Sequence, residues 1–95
     1  DEAEELLRKA GDREALREIW ARRGDWGKVA ESLMEEKKTT LAAEAFVKAD
    51  RPAEAAEIFR EAENFEKAGE LFEKAGRTRE AAEAFRKEKG GEVLE

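Results

Sequence analysis

Glu14 and Glu18, Glu66 and Glu70, and Glu70 and Glu73 stand three or four residues apart, a spacing that puts two carboxylates one turn apart on a helix face. Such a pair could share a cation or divide acid and base roles. The partners that this chemistry needs are missing. The sequence has no His and no Cys, so neither a Glu-x-x-His di-iron motif nor a thiolate site can be built. No obviously apolar surroundings are legible around these pairs to raise a carboxyl toward neutral pH. Ser32, the single serine, has no imidazole to activate it. Gly24-Asp25-Trp26-Gly27-Lys28 has the glycines and lysine of a phosphate loop but neither its spacing nor its preceding strand. No catalytic residue, metal ligand or cofactor is expected, and the chain is read as a non-enzyme.

The elements that position these carboxylates must be helices. Ala, Glu, Lys, Arg and Leu make up 65 of the 95 residues, and these types lose little side-chain freedom on a helix. Charged residues reach 46%, with both signs interleaved, which reads as a solvated surface laced with local pairs. A disordered polyampholyte would lack the regular apolar positions described below. The net charge of −6 argues against a nucleic-acid partner. No apolar run approaches a membrane span and no signal pattern opens the chain, so a soluble protein without a membrane partner is expected. Its compartment is unspecified, and would be cytoplasmic on recombinant expression. His, Cys, Tyr and Gln are all absent, with one Asn and one Ser. That narrow alphabet is typical of an idealised, designed helical sequence, and Leu94-Glu95 would suit a cloning scar.

A shift of 26 residues aligns the chain with itself without a gap, giving units 13–38, 39–64 and 65–90 after a half-unit at 1–12 and before a tail at 91–95. Halving the shift to 13 keeps the pattern. One position reads Leu7, Trp20, Leu33, Phe46, Phe59, Phe72, Phe85; another reads Ala3, Leu16, Val29, Ala42, Ala55, Ala68, Ala81. A fixed period of this length marks stacked supersecondary units in one domain spanning residues 1–95. Breaks fall at Gly11-Asp12, Gly24-Asp25, Lys38-Thr39-Thr40, Asp50-Arg51-Pro52, Glu63-Asn64-Phe65 and Gly76-Arg77-Thr78. Each supplies a helix stop, a capping oxygen or an early proline. The spacing predicts helices over 2–10, 13–23, 26–37, 40–49, 52–62, 65–75 and 78–89.

Helices this short are marginal alone, so packing must stabilise them. One bulky residue and two or three alanines per helix predict large-into-small packing, and Gly69 in mid-helix predicts a close neighbour. The expected fold is all-α: seven short helices stacked as antiparallel hairpins in a small right-handed α-solenoid. The alternative is a compact irregular bundle of the same helices. Ala3, Leu6, Leu7 and Ala10 would cap one end, Val93-Leu94 would fold back on the other, and Trp20 and Trp26 would both anchor the core.

Phe65-x-x-Ala68-Gly69-x-x-Phe72, followed by Ala81 and Phe85, resembles the tetratricopeptide repeat. Ala42-Ala43, Phe46, Ala55, Phe59 and Ala62 fill the same slots in the middle unit, and Leu16, Trp20, Val29 and Leu33 in the first. The family's unit is 34 residues long, and the shorter period here is nearer the helical zigzags of clathrin heavy chain and other vesicle-coat proteins. A small residue expected late in the second helix is Ala62 in the middle unit but Glu36 and Glu88 elsewhere. Glu88 suits a solvent-facing last helix, whereas Glu36 predicts disturbed packing around the third.

The resemblance implies a peptide groove along the first helices of each pair, at Glu14 and Glu18, Thr40 and Glu44, Glu66 and Glu70, with Arg22, Lys48 and Lys74 further along. Glutamates there disfavour a clamp on a peptide's terminal carboxylate and favour a basic or apolar peptide. Two functions are therefore weighed: a monomeric structural scaffold with no evolved ligand, and a peptide-binding adaptor of the tetratricopeptide type. A third origin, a piece of a longer coat-type solenoid, would self-associate through open ends.

Overall fold

The computed structural model describes residues 1–90, which form seven helices: α1 (Glu2–Ala10), α2 (Arg13–Arg22), α3 (Trp26–Glu35), α4 (Thr39–Lys48), α5 (Pro52–Glu61), α6 (Phe65–Lys74) and α7 (Thr78–Glu88). No strand occurs among the described residues. The proposed fold-back of Val93-Leu94 lies outside them.

Every break has the same construction. Gly11, Gly24, Lys37, Asp50, Glu63 and Gly76 follow one another at 13-residue intervals, and each has a positive φ between 63° and 80°. The residue after each then donates its backbone N–H to the carbonyl of the bulky residue five positions earlier. These bonds run Asp12 to Leu7, Asp25 to Trp20, Lys38 to Leu33, Arg51 to Phe46, Asn64 to Phe59 and Arg77 to Phe72, at 2.8–3.0 Å. The left-handed residue thus closes the helix end onto the backbone of the core residue itself. Lys37, Asp50 and Glu63 adopt this conformation against the steric preference of an L side chain.

Helix starts differ from expectation for the same reason. The stop fixes the capping position at the very next residue, whatever its type. Asp12 and Asn64 accept from the backbone N–H of Ala15 and Lys67, but Asp25, Lys38, Arg51 and Arg77 make no side-chain cap. Thr39, Thr40 and Thr78 fall inside their helices and cap nothing.

The packing is bulky side chain onto small residue. A Cβ built on Gly69 of α6 would lie 2.6–2.8 Å from the ring of Phe85 of α7, so the glycine is required by the approach of that ring. Ala30, Ala43 and Ala56 hold the equivalent positions on earlier helices and are fully buried, beneath the level of Phe46, Phe59 and Phe72 in the same register. Further toward the N-terminus the small position becomes Arg17 and then Glu4, opposite Leu33 and Trp20 in register. Polar atoms there replace a hydrocarbon floor, and Trp20 Nε1 is buried without a hydrogen-bond partner.

Substantial packing joins each helix to its neighbours in sequence: α1 to α2 through to α6 to α7. Six interaxial steps of about 8–10 Å span about 48–60 Å, and the molecule measures 58 × 22 × 13 Å. The helices therefore stand in a row. The radius of gyration, 16.2 Å, exceeds the roughly 12 Å of a compact domain of this length. The solenoid, not the compact bundle, is the arrangement adopted.

Three sequence expectations are corrected. Of the capping half-unit only Leu7 packs against the core; Ala3 and Ala10 are exposed and Leu6 is 65% exposed, because α1 has a neighbour on one side only. Glu36 does not disturb packing. It sits at the C-cap of α3, past the helix, and its carboxylate lies 3.1 Å from Arg17, 3.5 Å from Lys38 and 3.7 Å from Arg13. Trp20 is buried, but Trp26 is only half-buried and carries Lys48 Nζ over its ring, 4.4 Å from the centroid. No helix is long and apolar enough to cross a membrane.

Candidate functional site

An apolar groove of about 420 Å³ lies over α5, walled by α4 and α6. Phe59 forms its floor, Val47 and Leu71 its flanks, and Glu44, Lys48, Lys67 and Glu70 its rim. Helix periodicity explains this set: Glu44, Val47 and Lys48 share one face of α4, and Lys67, Glu70 and Leu71 share one face of α6. Lys67 Nζ stands 5.5 Å from the centroid of the Phe59 ring, and Lys48 is drawn over Trp26. Both ammonium groups are thus held against aromatic faces at the mouth of the groove.

A shallower depression of about 320 Å³ repeats the pattern one unit earlier, with Glu14, Arg17, Glu18, Ala21, Val29 and Leu33. Glu18, Ala21 and Leu33 are the 26-residue equivalents of Glu44, Val47 and Phe59. Arg17 is committed elsewhere: it donates to Ser32 Oγ at 3.0 Å and pairs with Glu36. A third cavity, of about 460 Å³, lies over α2 between α1 and α3. Its Lys28, Glu31 and Ser32 stand 39 residues before Lys67, Glu70 and Leu71. Arg8 and Ser32 take the places of Val47 and Leu71, so this cavity is polar where the first is greasy.

Of the expected groove residues, Glu44, Lys48 and Glu70 converge on one groove and Glu14 and Glu18 on the next, while Glu66 lines neither. Glu18 is also held by Arg22 at 4.0 Å. The acidic groove expected from the glutamates is locally balanced, because Lys67 and Lys48 oppose Glu44 and Glu70. Lys67, Val47 and Leu71 were not singled out in the sequence. Thirteen-residue register could have placed Leu71 with Ile19 and Ile58, but nothing local showed that Lys67 would bend over Phe59. Among the described residues no three potential ligands cluster to hold a metal.

Ion pairs elsewhere repeat with the fold. Arg51 reaches Glu31 at 3.7 Å and Glu54 at 2.6 Å; 26 residues on, Arg77 reaches Glu57 at 3.7 Å and Glu80 at 3.4 Å. Each arginine fastens its own helix start to the helix two places earlier. At the N-terminal end, Arg23 pairs with Asp1 and, at 2.7 Å, with Glu4.

These pairs set an acid limit on stability. For Glu4, partial burial pushes the carboxyl up, but the chain amine, Lys28 and Arg23 together hold it below its ordinary value. Hydrogen bonding to Arg17 lowers Glu36, and hydrogen bonding to Arg51 lowers Glu54. A folded-state pKa below the unfolded value of 4.5 means that the unfolded chain binds more protons in acid. The contribution is complete above pH 4.5 and disappears as pH falls through the lowered values. Melting temperatures measured in steps from neutral pH to about pH 3 should therefore hold level and then fall below the ordinary glutamate range.

Comparison with protein-family models, curated proteins and solved structures returns no match to this chain.

Proposed function

We propose that the chain is a non-catalytic helical-repeat scaffold of idealised, designed sequence, whose role is to hold a row of helices in fixed register. The observation that carries this reading is the recurrence of identical contacts at identical spacing. Arg51 and Arg77 make the same two pairs one unit apart, and the left-handed stop recurs every 13 residues. Side chains that in a binding protein would await a ligand are occupied by neighbours: Lys48 by Trp26, Arg17 by Glu36, Glu18 by Arg22. The narrow alphabet supports the same reading.

A second reading, a peptide-binding module like the tetratricopeptide repeats that the sequence resembles, draws on the groove over α5. Its Phe59 floor and Val47 and Leu71 flanks suit one or two apolar side chains, and its balanced rim gives a basic peptide no general advantage. Titration with pools of basic and apolar peptides, followed by tryptophan fluorescence because Lys48 covers Trp26, separates the two. The scaffold gives no saturable change at micromolar peptide. Saturable binding that Leu71→Asp abolishes would replace it with the adaptor.

A further inference from the structure

Each internal helix interface is built from two half-faces, and the chain leaves one of each kind open. On the receiving side the small position is filled by Ala30, Ala43 and Ala56, all fully buried, and by Gly69 beneath Phe85. Its last member, Ala82 on α7, is exposed. On the inserting side, Leu16, Val29, Ala42, Ala55, Ala68 and Ala81 are buried, whereas their first member, Ala3 on α1, is exposed beside Leu6. Among the described residues no helix covers either face.

The orientation follows from the row itself, and charge favours it at one end. Successive helices joined by short turns run in opposite directions, so a helix placed against α7 as α7 sits on α6 would lay its start beside the end of α7. The start of α1 carries exposed Glu2 and Glu5 and its end Lys9; the end of α7 carries exposed Arg86, Lys87 and Lys89, and its middle Glu83. Antiparallel docking sets Glu2 and Glu5 against Arg86, Lys87 and Lys89 at one end, while Lys9 meets Arg77, Arg79 and Glu80 at the other. Parallel docking sets Lys9 beside the three cations at the end of α7, with Glu2 and Glu5 beside Arg77, Arg79 and Glu80.

We propose that α7 of one molecule receives α1 of a second copy, with Leu6 and Leu7 of the incoming helix over Ala82, so that the chain associates head to tail and continues its own helix row. Each added copy presents a fresh Ala82 face, so growth is open-ended rather than closed at a dimer. Such a chain would not be the monomeric scaffold weighed from the sequence, and the proposal stands whether or not the groove over α5 binds peptides.

The test is sedimentation of the full 95-residue chain from micromolar to millimolar concentration, with Leu6→Glu and Ala82→Glu variants. Both positions are exposed, so circular dichroism should show unchanged helix content. The wild-type chain should gain mass continuously with concentration, and less so in high salt. Either variant alone should associate at least about tenfold more weakly. An equimolar mixture of the two variants should recover a dimer and stop there, because only one intact α1 and one intact α7 meet. A wild-type chain that stays monomeric throughout overturns the proposal. So does association that appears only after removal of residues 91–95, which would make the tail the occupant of α7. Growth undiminished in both single variants overturns it as well.

Discussion

Phe72→Ala should remove about 3–5 kcal/mol of folding stability, the range for deleting a fully buried aromatic ring from a core that cannot collapse around the space. Phe72 is the largest side chain with no exposure at all, and in register it sits over Ala56. A domain of this size has about 5–15 kcal/mol in total, so the variant lies near the edge of folding. At about 4–8 °C per kcal/mol, its melting temperature should fall by at least about 12 °C, which calorimetry would read directly. The loss should also be uneven. In a row where each helix packs chiefly on its neighbours in sequence, a void at the junction of α5 and α6 uncouples the two helices beyond it. Hydrogen exchange should therefore show α6 and α7 losing protection well before α4 and α5. An unchanged melting temperature would mean that the ring does not hold this junction together.

Gly69→Val should destabilise by about 3 kcal/mol, the upper part of the range for forcing extra carbon into a packed interface. The first added carbon already meets the Phe85 ring at 2.6 Å, and the branched methyls have nowhere further to go. The informative control is a change of sign. In a Phe85→Ala background, Gly69→Ala should stabilise by about 1 kcal/mol, because removing the ring leaves only the helix preference of alanine over glycine. With Phe85 in place, the clash opposes that gain. Chemical unfolding of the four proteins in the cycle gives the coupling directly. Purely additive effects would show that the glycine is tolerated rather than required.

The expected loss of stability in acid follows from a different layer of the structure. Glu36 and Glu54 belong to no repeat-wide core position and Glu4 stands in one as a charge, yet each is bound to an arginine or lysine brought from another turn or another helix. Arg51 with Glu54 and Arg8 with Glu4 are legible from helical spacing, whereas Arg23 with Glu4 and Arg17 with Glu36 are not. Glu36 is instructive: read by register with Ala62 it looks like a polar residue intruding on a core, and it is a surface hub because α3 has already ended.

The candidate groove shows the same division. Glu44, Lys48 and Glu70 could be placed on neighbouring first helices from the 26-residue shift alone. That Phe59 floors the groove, and that Lys67 closes over it, depends on how far α4 and α6 stand apart across α5.

By itself the sequence determined the seven helices, their stops and the order of their packing, because these rest on a 13-residue rhythm of one bulky residue, small residues and a left-handed stop. Each of those is local chemistry, fixed within a turn or two of chain. The choice of an elongated row over a compact bundle, the exposure of Leu6 and Ala82 and the pairing of Glu36 were decided only by tertiary structure. They depend on the spacing between helices and on which faces find a neighbour, and the pattern of one helix carries no record of where that neighbour stands.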